Sequence, residues 1–137
     1  MAAMWVAATW VWLGMVLAIS FLEAPLKFRA PGITVPLGLG IGRLVFRALN
    51  GAELVLLVLA VVGAVASGAG PVGAGLLGGL AVVLGAQLVV VRPALSRRTD
   101  AVLRGGEAPR SRAHLGYVAL EIVKVLLLVV LGVTASA

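Results

Sequence analysis

The sequence contains no cysteine and a single histidine, and these absences exclude several kinds of metal and redox chemistry. Without cysteine there are no disulfides, no thiol redox reactions and no thiolate metal sites. One histidine excludes haem held by two histidines of the same chain. Two of the three methionines stand at Met1 and Met4, which makes a poor copper site. We therefore expect neither a metal site nor any other cofactor.

Charge is also scarce, and this scarcity indicates a membrane protein. Charged residues make up 12% of the 137 residues and hydrophobic residues 62%, whereas about 25% of the residues of an average soluble domain are charged. Long apolar segments with almost no charge are typical of chains that lie in a lipid bilayer. We predict a single integral membrane domain, residues 1–137, with an all-α fold.

Four apolar segments are long enough to cross a bilayer, for which a helix needs about 20 residues. They predict a bundle of four transmembrane helices. The first segment lacks the basic start of a cleavable signal peptide and carries Trp5, Trp10 and Trp12, which we interpret as interfacial aromatics of a retained span. The predicted spans cover residues 4–26, 44–67, 71–91 and 115–133, with an error of a few residues at each end.

The connections between the spans differ in length and charge. The second, SGAGP, is short and uncharged, so spans two and three are predicted to form a hairpin. The first, PLKFRAPGITVPLGLGIGR, is long and half apolar, and we expect it to lie on the membrane surface or to dip into the membrane. The third contains six arginines, which outnumber Asp100 and Glu107.

Apart from Lys124, the basic residues lie in the first and third connections and at the span ends beside them, whereas the hairpin turn and both tails have none. Because positively charged loops remain in the cytoplasm, both termini are predicted to lie on the non-cytoplasmic side. The net charge of +6 is therefore a sign of membrane orientation and not of nucleic-acid binding. We expect a multi-pass protein of a cell membrane, specifically the bacterial inner membrane.

Each span also carries polar residues, mostly at intervals of three or four, which places them roughly along one face of its helix. All of them fall in the half of the span nearer the basic connections. These residues are Ser20, Glu23 and Lys27 in the first span, Arg43, Arg47, Asn50 and Glu53 in the second, Gln87 and Arg92 in the third, and His114, Tyr117, Glu121 and Lys124 in the fourth.

An ionised side chain near the bilayer centre costs about 2.5–3.5 kcal/mol, so these residues need partners. Inside a four-helix bundle they can pair and be hydrated. We therefore predict an intramembrane polar pocket that opens to the cytoplasm, with Glu53 and Glu121 as acids and Lys124 and Arg47 as counter-ions. The predicted pocket comprises Glu23, Arg47, Asn50, Glu53, Gln87, His114, Tyr117, Glu121 and Lys124.

A purely structural interpretation is also open; it is the less favoured one for Glu53, Glu121 and Lys124 and the favoured one for the basic residues at the span ends. Glu121 and Lys124 can neutralise each other and simply fix the helix arrangement. Basic residues at the span ends, such as Arg43 and Arg92, can extend to lipid headgroups. His114 is expected at the membrane interface rather than as a pH sensor or a ligand.

The sequence contains no catalytic pattern. The run GLGIG at residues 38–42 resembles a phosphate-binding glycine run, but no predicted strand precedes it, which argues against nucleotide binding. There is no Ser-His-Asp set, no metal-ligand spacing and no paired carboxylate motif. We therefore do not expect an enzyme.

Short motifs resemble a known family of membrane proteins. WLG, APLKF and RPALSRRTDAVLRGGEAPRSRAHLGYVAL resemble the four-span transmembrane protein 205-like proteins, and the matching positions are Pro25, Pro93 and His114. That family is similar in layout to copper-resistance D-type membrane domains, but copper is not carried over because the chain lacks a set of methionine and histidine ligands. The resemblance implies a four-helix membrane bundle and tolerance to toxic compounds. LNGAELVLLVLAVVG bears a weaker resemblance to the DoxX-like proteins.

Three functions of different classes fit these observations. The first is transport or permeation of an ion, a proton or a small solute through the pocket, as a homo-oligomer because four short spans seldom enclose a pathway. The second is an accessory subunit whose polar stripe docks a partner membrane protein. The third, a membrane enzyme, is the least favoured because no catalytic set is present. We favour the first.

Overall fold

The computed structural model describes residues 2–106 and 112–137, and within them the chain forms four long helices and no strand. These helices are α1 (Ala2–Arg29), α2 (Val35–Ala66), α3 (Pro71–Leu103) and α4 (Arg112–Ser136). All four are long and apolar enough to cross a membrane. The predicted all-α fold with four membrane-spanning helices is confirmed.

The four helices form a closed bundle in which each helix packs against two neighbours. Helix α1 contacts α2 and α4, and α3 contacts the same two helices from the opposite side. An apolar core fills the end of the bundle that holds the α2–α3 turn and the C-terminus of α4. This core consists of Trp5, Ala8, Trp12, Leu13, Val16, Ala60, Ala64, Leu77, Leu80, Leu84, Leu128 and Leu131.

The distribution of polarity is the reverse of that in a soluble protein. Val65, Val82 and Val89 are 72–76% exposed, whereas Glu53 and Lys124 are completely buried. Charged side chains are almost never fully buried in water-soluble domains unless they are paired, and large apolar patches on the surface mark contact with lipid or protein. The outer surface of the bundle therefore suits contact with lipid, and the ionised groups lie inside.

The first connection is much shorter than predicted. Helix α1 continues through Pro25 to Arg29 and α2 begins at Val35, so the connection covers only residues 30–34 and its predicted length is wrong. Thr34 caps α2, because its side chain accepts a hydrogen bond from the backbone N–H of Leu37 at 3.2 Å. Proline in the first turn of a helix costs no backbone hydrogen bond, so Pro36 is compatible with this early helix start. The glycine run at residues 38–42 is therefore helical.

Two helices contain a segment wound as a π-helix, and each segment ends just before a proline. The segments are Leu17–Glu23 in α1, ahead of Pro25, and Gln87–Val91 in α3, ahead of Pro93. A proline ring clashes with the carbonyl four residues earlier in a regular α-helix, and the wider turn relieves this clash. Helix α3 consequently passes through the Arg92–Pro93 step, where we had predicted the end of the third span. Of the third predicted connection, residues 107–111 lie outside the described residues.

Helices α1 and α4 approach closely at Gly132, and this contact is testable. A Cβ atom at Gly132 would lie 2.7 Å from Cζ2 of Trp10, whose Nε1 donates a hydrogen bond to Ser136 at 3.1 Å. We expect Gly132→Ala to lower the free energy of unfolding by about 1–3 kcal/mol because the indole must move. Gly116→Ala, in the same helix with open space around it, is the matched control and should raise stability by up to about 1 kcal/mol. Unfolding by sodium dodecyl sulfate in mixed micelles measures both; equal effects would contradict the close contact.

Candidate functional site

Lys124 is the centre of a polar cluster that lies inside the bundle. Its Nζ is 2.6 Å from Oε2 of Glu53 and 2.5 Å from Oε1 of Glu121, and it donates to Oε1 of Gln87 at 2.8 Å. An ammonium group has three donors and here it has three acceptors. We call Glu53, Gln87, Glu121 and Lys124 the ion-pair cluster; each member is at most 2% exposed.

Glu53 is surrounded by hydrogen-bond donors alone. Oε2 accepts from Nε1 of Trp12 at 2.7 Å and contacts Lys124, and Oε1 accepts from Nδ2 of Asn50 at 3.1 Å. An indole N–H, an amide NH₂ and an ammonium cannot accept a proton from a carboxylic acid. Both oxygens of Glu53 are therefore engaged as hydrogen-bond acceptors.

Glu121 has a different environment on each of its two oxygens. Oε1 accepts from Nε2 of Gln87 at 2.8 Å and contacts Lys124. Oε2 lies 2.5 Å from the hydroxyl of Ser20. A hydroxyl group can donate or accept, so the contact with Ser20 persists whether Glu121 is ionised or protonated. This contact distinguishes Glu121 from Glu53, whose described partners are all donors.

The two π-helical segments supply the partners of Glu121. Ser20 lies within the first segment and Gln87 opens the second, and both reach the same carboxylate on α4. Segments of this kind are frequent at functional sites, because the extra residue changes the direction of the side chains that follow. Helices α1 and α3 thus meet α4 at Glu121 from either side.

The charges of the ion-pair cluster do not balance. Two carboxylates face one ammonium, so the cluster carries one net negative charge when all three groups are ionised. Burying a charge is expensive unless a partner and hydrogen bonds compensate for it. The uptake of one proton or one cation, or the approach of a nearby positive group, makes the arrangement neutral.

A cavity of about 400 Å³ lies beside the ion-pair cluster, at the end of the bundle that holds the two basic connections. Ser20 and Glu121 belong to its lining. The other polar residues of the lining are basic or neutral, whereas most of the remaining lining is aromatic or aliphatic. The basic residues are Lys27, Arg43, Arg92, Arg98 and His114.

The structure brings together most of the predicted pocket residues. Asn50, Glu53, Gln87, Glu121 and Lys124 are joined by ion pairs and hydrogen bonds. Tyr117 and His114 line the adjacent cavity.

Two predicted pocket residues, Arg47 and Glu23, are neither bonded to the ion-pair cluster nor part of the cavity lining. Arg47 is exposed, and within residues 2–106 and 112–137 it makes no ion pair, so the prediction that it serves as a counter-ion to the acids is wrong. Arg47 and Glu53 are separated by two steps of three residues. Their side chains therefore point in directions about 120° apart around the axis of α2. Glu23 instead pairs with Lys27 at 3.7 Å and its side chain is 37% exposed.

The expectation that the basic residues of the span ends merely extend to lipid is also wrong for two of them. Arg43 is ion-paired with Asp100. The guanidinium of Arg92 lies over the rings of Phe46 and Tyr117, at 4.9 and 4.8 Å from their centroids.

Trp12 was interpreted as an interfacial aromatic, and this interpretation is wrong. It is completely buried and bonded to Glu53, whereas Trp10 is 40% exposed. The signal in the sequence is that an indole N–H in the middle of an apolar span needs an acceptor, and Glu53 is an acceptor at similar depth.

Comparison of the chain with protein-family models, with curated proteins and with solved structures found no match. The function must therefore be inferred from the geometry of the ion-pair cluster and its cavity.

Proposed function

We propose that the chain is a multi-pass protein of the bacterial inner membrane that moves a small solute or ion together with a proton. In this proposal the basic connections lie in the cytoplasm, both termini lie outside, and the cavity opens to the cytoplasm. The observation that carries the proposal is the position of Glu121, whose Oε2 touches Ser20 at the cavity wall while Oε1 is held by Lys124 and Gln87.

The size and surroundings of the cavity support a role in binding. A volume of about 400 Å³ lies within the roughly 300–1,000 Å³ that is usual for small-molecule sites. Ionisable residues inside a membrane domain are rare and commonly mark substrate paths and proton relays. Here such residues form the wall between the cavity and the apolar core.

The apolar core closes the opposite half of the bundle. Leu80, Leu128 and Leu131 are completely buried there and pack with Trp12. For a solute to cross the membrane, the helices must therefore move, or a second copy of the chain must form part of the path. We include a homo-oligomer in the proposal, and the two π-helical segments are the places where α1 and α3 can rewind.

The alternative is an accessory subunit that docks a partner membrane protein. The closed apolar half favours it, because a subunit without a pathway needs no opening there. In that case the ion-pair cluster only fixes the arrangement of the four helices. Membership of the transmembrane protein 205-like family is compatible with either role and depends on Pro25, Pro93 and His114.

Reconstitution of the purified chain into liposomes tests the proposal. A pH-sensitive dye inside the liposomes reports proton movement after a pH step, with small organic acids, phosphate or amines added outside in turn. We expect at least one addition to accelerate the dye response above that of liposomes without protein. A response equal to that of empty liposomes under every addition, together with co-purification of a fixed membrane partner, would favour the accessory role.

A further inference from the structure

We infer that Arg92 and Tyr117 form a binding site for one anionic group, a phosphate or a carboxylate, on a small molecule with an apolar body. The inference rests on the proposed function, since it names the class of solute that the cavity takes. It concerns donors that the ion-pair cluster does not use.

Arg92 presents a guanidinium with two nitrogens that have no hydrogen-bond partner among the described residues. It lies over the rings of Phe46 and Tyr117, which are themselves in edge contact with centroids 5.6 Å apart. Its Nε and Nη2 are buried and have no hydrogen-bond partner among the described residues. The aromatic faces hold the cation in place, but they leave the planar donor fork free, and that fork matches a carboxylate or phosphate with two parallel hydrogen bonds.

Tyr117 adds a hydroxyl in the same condition. The residue is 94% buried, being 6% exposed, and its hydroxyl has no hydrogen-bond partner among residues 2–106 and 112–137. Asn50, whose amide donates to Glu53, lies beside the phenol, but the hydroxyl of Tyr117 and the amide of Asn50 do not meet hydrogen-bond geometry. A buried polar group without a partner costs free energy, and a bound anion would accept from both Tyr117 and Arg92, since both line the cavity.

The acids of the described chain are engaged elsewhere. Glu23 pairs with Lys27 and Asp100 with Arg43. Glu53 and Glu121 pair with Lys124. No described carboxylate is therefore paired with Arg92.

The remaining lining restricts the rest of the ligand. Phe21, Phe28, Leu39, Leu95 and Val118 surround the cavity, so the part of the molecule beyond the anionic group is apolar. Two sources offer this chemistry: a soluble alkyl phosphate or carboxylate, and the headgroup region of an anionic lipid.

The test uses the full chain in phosphatidylcholine nanodiscs, with butyl phosphate and inorganic phosphate as probes in isothermal titration. We expect butyl phosphate to bind more tightly than inorganic phosphate. Arg92→Gln should weaken the binding of butyl phosphate by at least about tenfold. Tyr117→Phe, which keeps the ring and removes only the hydroxyl, should weaken it by about threefold or more. Arg47→Gln removes an exposed arginine of α2 and is the matched control, with a change of less than about twofold expected.

Nanodiscs with and without phosphatidylglycerol distinguish the two sources. If phosphatidylglycerol raises the thermal unfolding midpoint of the wild type but not of Arg92→Gln, and competes with butyl phosphate, the ligand is a lipid headgroup. If only butyl phosphate binds, the ligand is a soluble solute. If Arg92→Gln fails to fold, the binding of butyl phosphate to Tyr117→Phe is compared with its binding to the wild type instead.

The inference is overturned if neither probe nor the anionic lipid binds, or if Arg92→Gln and Arg47→Gln weaken binding equally. If inorganic phosphate binds as tightly as butyl phosphate, the claim that the ligand has an apolar body is overturned. Binding is measured here without flux. Loss of binding with intact flux therefore refutes the anion site alone, and intact binding without flux refutes the transport proposal alone.

Discussion

Lys124→Met is expected to lower the free energy of unfolding by about 3–5 kcal/mol, the range observed when one member of a buried ion pair is removed. Methionine matches the length of lysine and has no charge. The variant leaves Glu53 and Glu121 as two buried carboxylates that share no cation, and each loses a contact of 2.5–2.6 Å. Titration with sodium dodecyl sulfate in mixed micelles measures the loss.

Charge-compensating variants separate this effect from simple loss of packing. Glu121→Gln leaves one carboxylate and one ammonium, and its side chain can still accept from Lys124 and donate to Ser20. We expect its stability to stay within about 1 kcal/mol of wild type. Adding Glu53→Gln and Glu121→Gln to Lys124→Met removes all three charges and should restore most of the loss. If Lys124→Met unfolds at the same detergent fraction as wild type, the carboxylates do not depend on Lys124.

Glu121→Gln is expected to reduce proton-linked flux by about tenfold or more, even though the variant folds. Glutamine keeps the shape and the hydrogen bonds of Glu121, but it cannot bind or release a proton. The contact of Glu121 Oε2 with the Ser20 hydroxyl can persist when a proton binds, whereas the described partners of Glu53 are all donors. The response of the pH-sensitive dye in liposomes measures the flux.

Glu23→Gln is the matched control for the flux experiment. It makes the same chemical change at a carboxylate of α1 that is partly exposed and that, among the described residues, forms an ion pair with Lys27 alone, at 3.7 Å. We expect its flux to remain close to that of the wild type. Wild-type flux in Glu121→Gln would show that the ion-pair cluster has only a structural role. Equal losses of flux in both variants would show that the effect does not depend on the position of Glu121 inside the bundle.

The spacing of polar residues was sufficient to predict the two acids and their lysine. Tyr117, Glu121 and Lys124 follow steps of four and three along α4, and such steps nearly cancel in rotation, so the side chains share a face. The cost of an isolated charge in lipid then places that face inside the bundle. On α2 the steps of three accumulate in one direction, which is why Arg47 points away from Glu53.

The hydrogen bonds that α1 and α3 make to Glu121 depend on π-helical segments, which the pattern of apolar residues does not reveal. Ser20 and Gln87 reach Glu121 from π-helical segments, and a regular helix would place their side chains in different directions. Prolines two residues beyond each segment are the available signal, but a proline after an apolar run equally indicates the end of a helix. The helix ends were also underestimated, because an apolar run measures the part that crosses lipid, whereas α3 continues as a polar helix to Leu103.

The most direct test is the distance between the lysine Nζ and the glutamate carboxyl carbons, measured by solid-state NMR in lipid bilayers. The chain has two lysines, Lys27 and Lys124, so Lys27→Arg with ¹⁵Nζ-lysine and ¹³C-glutamate labels leaves one nitrogen signal. We predict that this nitrogen lies within about 4 Å of two carboxyl carbons, one lost in Glu53→Gln and the other in Glu121→Gln. A nitrogen close to one glutamate carbon or to none would contradict a lysine that holds both acids inside the bundle.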